Sequence, residues 1–332
     1  MLTLLKTSGR VAGMLLAAAL LLPAQTRIAQ PGTVNYTEGI VTLNGQNVTN
    51  STAGSAVVAA GQILATQDGK AEMLLTPGVF LRLAPHSAVT MVSPSITDTR
   101  VDLTAGSAML EAEQVEKENH LNVGIHGANV FIQKHGLYDF NADQNTVAVY
   151  DGKVEVQQND RTRKLTKGDE VALGPNNPKL KTESFNVKNS ESNNSLYAWS
   201  KLRSEYVAEA NMSLAQNIYV TNPYWSYGTG WYWNPYFDSF AFMPGAGYFG
   251  SPFGWGFYSP AYWGGYYAPF YGFGHRVFLP GTVHAFNPRV AGRPGFRATA
   301  PSIGARPFTG MRGFNAGPRG FSGGGMRMGG RR

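Results

Sequence analysis

The chain has 332 residues, 43% of them hydrophobic, a formal charge of +7 and no cysteine. That length allows about two domains and a sizeable core, while the missing cysteine excludes disulfides, thiol nucleophiles, Cys-ligated zinc, iron–sulfur clusters and a lipidated anchor at a signal-cleavage site. The charge is uneven: ten Arg and no Lys fall between Arg276 and Arg332, and no Asp or Glu follows Asp238, so the basic character belongs to a tail.

Residues 1–24 read as a signal peptide. Lys6 and Arg10 precede an apolar run, Val11 to Leu22, and Leu22-Pro23-Ala24 offers a small residue before Gln25 for cleavage. The run is too short to span a bilayer, which takes about 20 apolar residues. The expected location is therefore outside the cytoplasm: periplasmic, or associated with the outer membrane or cell surface.

Residues 33–187 are dense in strand signals. Val, Ile, Thr and Leu alternate with polar residues, and glycine recurs at short intervals. Gly69, Gly78, Gly106, the Asp151-Gly152 pair and Gly168 mark turns, because glycine accepts positive φ without steric cost. The stretch VAVYDGKVEV, Val147 to Val156, reads as two strands around a tight Asp151-Gly152 turn. Val79-Phe80-Leu81 is apolar in both phases, which predicts a strand covered on both sides. The fold class is mainly β, a sandwich, barrel or solenoid-like array.

The period then changes. Leu196, Trp199, Leu202, Tyr206, Ala210 and Leu214 recur at threes and fours, which predicts one amphipathic helix over 192–217 with Ser195 as its cap. Between Tyr219 and Phe278 lie 25 aromatic residues, interleaved with Gly and Pro, including five of the six Trp. With few aliphatic residues, segment 219–278 is expected to be irregular and without a packed core of its own. Residues 279–332 form an Arg/Gly-rich tail of low complexity, expected to be disordered.

Few constellations suggest chemistry. His120 and His126 would share a face of one continuous strand, with His135 or Asp139 as further ligands, but their spacing matches no standard metal site. Glu111 and Glu113 share a strand face in a charged run expected to be solvated. No serine sits in a nucleophile elbow and no phosphate-cradling loop is present. No catalytic residue, cofactor or metal site is predicted. The strongest feature is the aromatic segment, where Trp225, Trp231, Trp233, Tyr236, Trp255 and Trp263 are candidate ligand or partner contacts. Self-association or envelope attachment ranks above glycan binding, because the rings lack regular spacing. The Arg-rich tail suits anionic envelope polymers or headgroups; nucleic acid is not an expected partner of an exported chain.

An ordered series within the β region resembles the FecR family. It comprises Ala60-Gly61-Gln62, then Asp68 to Leu75 (DGKAEMLL), Pro77 to Ser87 (PGVFLRLAPHS), Val101 to Ala108 (VDLTAGSA), VAVYDGKVEV, and Leu165-Thr166-Lys167-Gly168-Asp169. At Gly136-Leu137-Tyr138 the Thr common in the family is absent. Tyr197-Ala198-Trp199-Ser200 and Arg203 resemble the helix that follows the domain in exported relatives. The resemblance implies an extracytoplasmic β module that senses or binds a partner. Family regulators carry a cytoplasmic anti-sigma segment and a transmembrane helix; this sequence shows neither, so a binding or scaffold role is expected. The alternative is a carbohydrate-binding envelope protein acting through its Trp/Tyr segment.

Overall fold

The computed structural model describes residues 29–222 and 228–267. All of them belong to the first of two compact units, Met1–Thr299. The predicted signal peptide, Trp225 and the predicted tail lie outside the described residues.

The chain runs through β1 (Val34–Glu38), β2 (Val41–Leu43), β3 (Gln46–Val48), β4 (Ile63–Thr66), β5 (Lys70–Leu74), β6 (Val79–Leu83), β7 (Ala88–Ser95) and β8 (Asp98–Ala105). It continues through β9 (Ser107–Ala112), β10 (Asn122–Ile125), β11 (Ala128–Ile132), β12 (Gly136–Asn141), β13 (Thr146–Asp151), β14 (Lys153–Gln158), β15 (Arg161–Thr166), β16 (Asp169–Ala172) and β17 (Thr182–Ser184). Among the described residues these strands build two sheets. One has eight strands in the order β1-β5-β6-β9-β12-β13-β16-β17, and the other nine in the order β15-β14-β11-β10-β8-β7-β4-β2-β3. Because side chains alternate along a strand, every second residue points between the sheets. Met73, Leu81, Leu110, Tyr138 and Val149 of the first sheet meet Leu64, Val89, Val101, Val130 and Val156 of the second in one core.

The glycine signals mark something other than a row of hairpins. Pro77-Gly78 does join two paired strands, β5 and β6. At Gly69, Gly106, Gly152 and Gly168 the chain instead leaves one sheet and enters the other. VAVYDGKVEV is such a corner, which corrects the hairpin expected there: Val147 and Val149 pair within the eight-stranded sheet, Val154 and Val156 within the nine-stranded one. A hairpin and a corner both require a tight reversal of direction, so local residue choice alone does not separate them. At Gly152 the requirement is steric as well as conformational. Its φ is 92°, and a Cβ there would stand 2.2 Å from Tyr138 Oη and 2.5 Å from the His135 carbonyl oxygen. Tyr138 Oη locks the corner by donating to the Lys134 carbonyl at 2.6 Å and accepting from Lys153 N at 3.1 Å.

Beyond the sheets come α1 (Val187–Asn193) and a long helix, α2 (Ser195–Thr221). Asn194 takes the capping place expected of Ser195, its Oδ1 accepting from Tyr197 N at 3.0 Å. Half of the expected apolar stripe is buried, Leu196, Trp199 and Ala210, and the buried face is rotated away from the rest. Leu202, Tyr206 and Leu214 are half-buried, whereas Arg203, Ser204, Val207, Ala208 and Asn211 are buried. Polar residues count against a core face in a hydrophobicity pattern, yet here they form part of it.

The aromatic segment departs furthest from expectation. β18 (Gly230–Asn234) and β19 (Ser239–Met243) make one antiparallel pair, β20 (Tyr248–Gly250) and β21 (Gly256–Tyr258) another, and α3 (Pro260–Tyr267) follows. Phe240, Ala241, Phe242 and Met243 have no exposed surface. The segment lacks a core of its own, but shares one with α2 and with the outward side chains of β5 and β6: Leu74, Phe80, Val207, Ala210, Phe242 and Phe257 pack together. The two-phase apolar run of β6 is thereby covered on both sides, as its pattern requires. The described residues thus form three layers: an open sheet, a covered sheet, and a cover of α2 with the aromatic strands.

Candidate functional site

The outer face of the covered sheet carries a buried polar network. Strand register sets it up: Glu72 lies opposite Arg82 across β5–β6, and Phe80 opposite Glu111 across β6–β9. Glu72, Arg82, Glu111, Arg203 and Ser204 all have 0% exposure. Arg82 donates from Nε to Glu72 at 2.8 Å and from Nη1 to Glu111 at 2.5 Å. Arg203, reaching in from α2, donates to the other Glu72 oxygen at 3.0 Å, and its guanidinium stacks 3.9 Å from the Tyr36 ring centre. Ser204 donates to Glu111 at 2.6 Å, and Ser251 of the β20–β21 connection donates to the same oxygen.

Two carboxylates and two guanidiniums balance, which is what makes their burial tolerable; an unpaired buried ion costs several kcal/mol. Burial acts to raise the Glu72 carboxyl, but Arg203 and Arg82 outweigh it and hold it below the usual range. Asparagines extend the staple. Asn35 exchanges hydrogen bonds with the backbone of Phe240, and Asn211 of α2 holds the backbones of Phe242 and Tyr258. The network therefore ties the cover to the sheet at its centre.

Glu113, expected with Glu111 to be solvated, is 2% exposed, and neither of its oxygens makes a hydrogen bond of good geometry among the described residues. The cover accounts for both corrections, since it lies over a strand face that would otherwise meet water. Burial, and then the charge of Glu111, push the Glu113 carboxyl well up. Burial likewise pushes the Asp139 carboxyl up to about 7, although Asn194 Nδ2 donates to it at 2.8 Å. An acid raised by folding holds a proton that the unfolded chain has already lost. Its contribution to stability is complete at the acid end and disappears as pH rises through the folded value. The protein is expected to lose stability from about pH 4 upward through neutrality, and Glu113→Gln with Asp139→Asn to flatten that slope. Urea melts at a series of pH values measure it; an unchanged slope would contradict these assignments.

The candidate rings of the aromatic segment serve the cover. Trp231 meets Phe80 edge-on at 4.9 Å and Phe242 at 5.9 Å. Trp233 meets Phe240 at 5.1 Å, Trp255 packs beside Phe253, and Trp263 is 9% exposed against Tyr258. Among the described members of the predicted set, Tyr236 is the exposed one, at 52%. The sequence reading missed two further exposed rings, Tyr248 and Tyr262, which stack 6.1 Å apart.

The histidines do not converge. His126 occupies the β10–β11 turn at φ 45° and bonds Asn145. His120 precedes β10 at φ 41° and bonds the Thr97 carbonyl at 2.9 Å, while His135 bonds the Gly250 carbonyl at 2.7 Å. The continuous strand that would align His120 with His126 is broken at both residues by left-handed backbone, and both are exposed, as the surface reading of these histidines has it. Among the described residues no group of three His, Cys, Asp or Glu could hold a metal ion.

The nine-stranded sheet shows its outer face to solvent. In register across it stand Arg100, Asn122, Phe131, Glu155 and Lys164, on β8, β10, β11, β14 and β15. These side chains are half-buried or exposed except Asn122, which is buried. No other part of the described chain lies over this mixed row of charges around one ring in the way that α2 lies over the opposite sheet.

Residues 62–155 match the family model described as FecR protein. Over that stretch the chain is similar to the FecR family. The matched stretch begins just before β4 and ends within β14, so β1–β3 and β15–β17 lie beyond it and complete both sheets. Glu72, Arg82, Glu111 and Glu113 fall inside the FecR match, whereas Arg203, Ser204 and Ser251 fall outside it. Two crystal structures of a "putative anti-sigma factor from Parabacteroides distasonis" are similar to this chain at 16% identity, with TM-scores of 0.34 and 0.33. The matches cover 38% and 37% of this chain and 61% and 59% of those chains, so this chain spans about three fifths of their length. None of the curated proteins compared with the chain matches it. Among the described residues no helix is long and apolar enough to cross a membrane.

Proposed function

We propose that the protein is a non-catalytic binding or scaffold component of the cell envelope that works in extracytoplasmic signalling through its FecR domain. The observation that carries this reading is the unequal treatment of the two sheet faces. The described residues cover one with a helix and aromatic strands, and among them nothing covers the other. A rigid sandwich with one free face suits the binding of a protein partner more than chemistry. The charged start and apolar run of residues 1–24 support export.

The reading is tested in cells with the full chain carrying a photo-crosslinking residue in turn at Arg100, Phe131 and Glu155, and at Lys70 beside the covered face as a control. An envelope-protein adduct from the open-face positions, absent from the control, is the expected result. Adducts confined to cytoplasmic proteins, or equal at all four positions, would overturn it.

A further inference from the structure

At one end of the open sheet a cleft of about 430 Å³ lies between the 115–121 connection and the ends of β11 and β14. Its volume falls within the range of small-molecule sites, about 300–1,000 Å³. The cleft has two chemically distinct parts. Leu121, Phe131 and Ile132 give an apolar wall, and Lys117, Lys134 and Lys153 line the remainder. Among the described residues none of these three lysines forms an ion pair. The lining has one carboxylate, Glu116, which already accepts from Gln114 Nε2 at 2.6 Å.

The frame is fixed before any ligand arrives. Ile132 N donates to the Leu121 carbonyl at 3.0 Å, and Gln133 N to the Lys153 carbonyl at 3.0 Å. Tyr138 Oη, buried in the core, holds the backbones of Lys134 and Lys153 together. His120, bonded to the Thr97 carbonyl, completes the rim. Three lysines against a single carboxylate leave the lining with an excess of positive charge, and an anion offsets that excess.

We infer that this cleft is a binding site for a small organic anion, its phosphate or carboxylate held by Lys117, Lys134 and Lys153 and its apolar body laid against Leu121 and Phe131. The site stands on its own residues and does not rest on the signalling reading.

Phenyl phosphate serves as the probe, with inorganic phosphate and benzyl alcohol each presenting half of its chemistry. Calorimetric titration of the full chain should give saturable binding of phenyl phosphate, at least about tenfold tighter than either half. Lys117→Ala/Lys134→Ala/Lys153→Ala should weaken it by about tenfold or more, with the unfolding temperature unchanged, and the corresponding triple Arg variant should restore it. Added salt should weaken binding in the unaltered chain, a reading that needs no variant to fold. Absence of saturable binding, equal affinity for benzyl alcohol, or indifference to salt would overturn the inference.

Discussion

Arg82→Met should destabilise the protein by about 3–5 kcal/mol, the usual cost of removing one partner from a buried ion pair. Among the described residues the guanidinium is the only group hydrogen-bonded to both Glu72 and Glu111, and all three side chains are sealed from solvent. Without it Glu111 keeps two serine hydroxyls and no counter-charge, while Glu72 keeps Arg203 and Asn35. The fully buried Glu111 would then take up a proton or draw in water, and either response disturbs the cover through Ser204 and Ser251. Met is close to Arg in length and apolar, so the loss reports charge imbalance more than a cavity. Combining Arg82→Met with Glu111→Gln removes one charge of each sign and should recover a large part of the stability. Urea denaturation of the two variants measures this. A single variant within about 1 kcal/mol of the parent, the range of exposed ion pairs, would mean that the network is not sealed.

The sequence made the sandwich legible and left the cover almost invisible. Period-two alternation and recurring glycines are local signals, and they place most strands. Which glycines are corners is a question of long-range pairing, so VAVYDGKVEV reads the same whether its halves pair with each other or with opposite sheets. The network was hidden for a different reason. Charged residues in strands ordinarily mark the solvent side, and Glu111 and Glu113 were read that way. One clue was available: Glu72, Arg82 and Glu111 each sit in the outward phase of a strand whose outward neighbours, Leu74, Phe80 and Met109, are apolar. A face with large hydrophobic residues has to be covered, and any charge on it has to be paired. From the Pro77-Gly78 turn the opposition of Glu72 and Arg82 could even be counted. The partners from the cover, Arg203 on Glu72 and Ser251 on Glu111, could not, because they arrive from 131 and 140 residues away.

Ending the chain after Asn222 is the sharpest test of what the aromatic segment does. Composition alone sets 219–278 apart as an irregular segment without a core of its own, yet the packing makes it part of the fold. Loss of β18–β21 uncovers Leu74, Phe80 and Val207, each worth about 1.5–3 kcal/mol when buried. It also takes Ser251 from Glu111, the Phe240 backbone from Asn35, and two backbone partners from Asn211. The sum rivals the whole net stability of an ordinary domain, about 5–15 kcal/mol. The shortened chain should therefore unfold at markedly lower temperature, bind a hydrophobic dye and aggregate. A chain ending after Tyr267 keeps every one of these contacts and should melt well above it, which assigns the effect to the cover and not to the residues beyond it. If the two chains melt together, the cover is an accessory and its rings are free for partners. If they separate, the described tryptophans of the segment are structural, and among the described residues binding falls to the open sheet, to its basic cleft, and to Tyr236, Tyr248 and Tyr262.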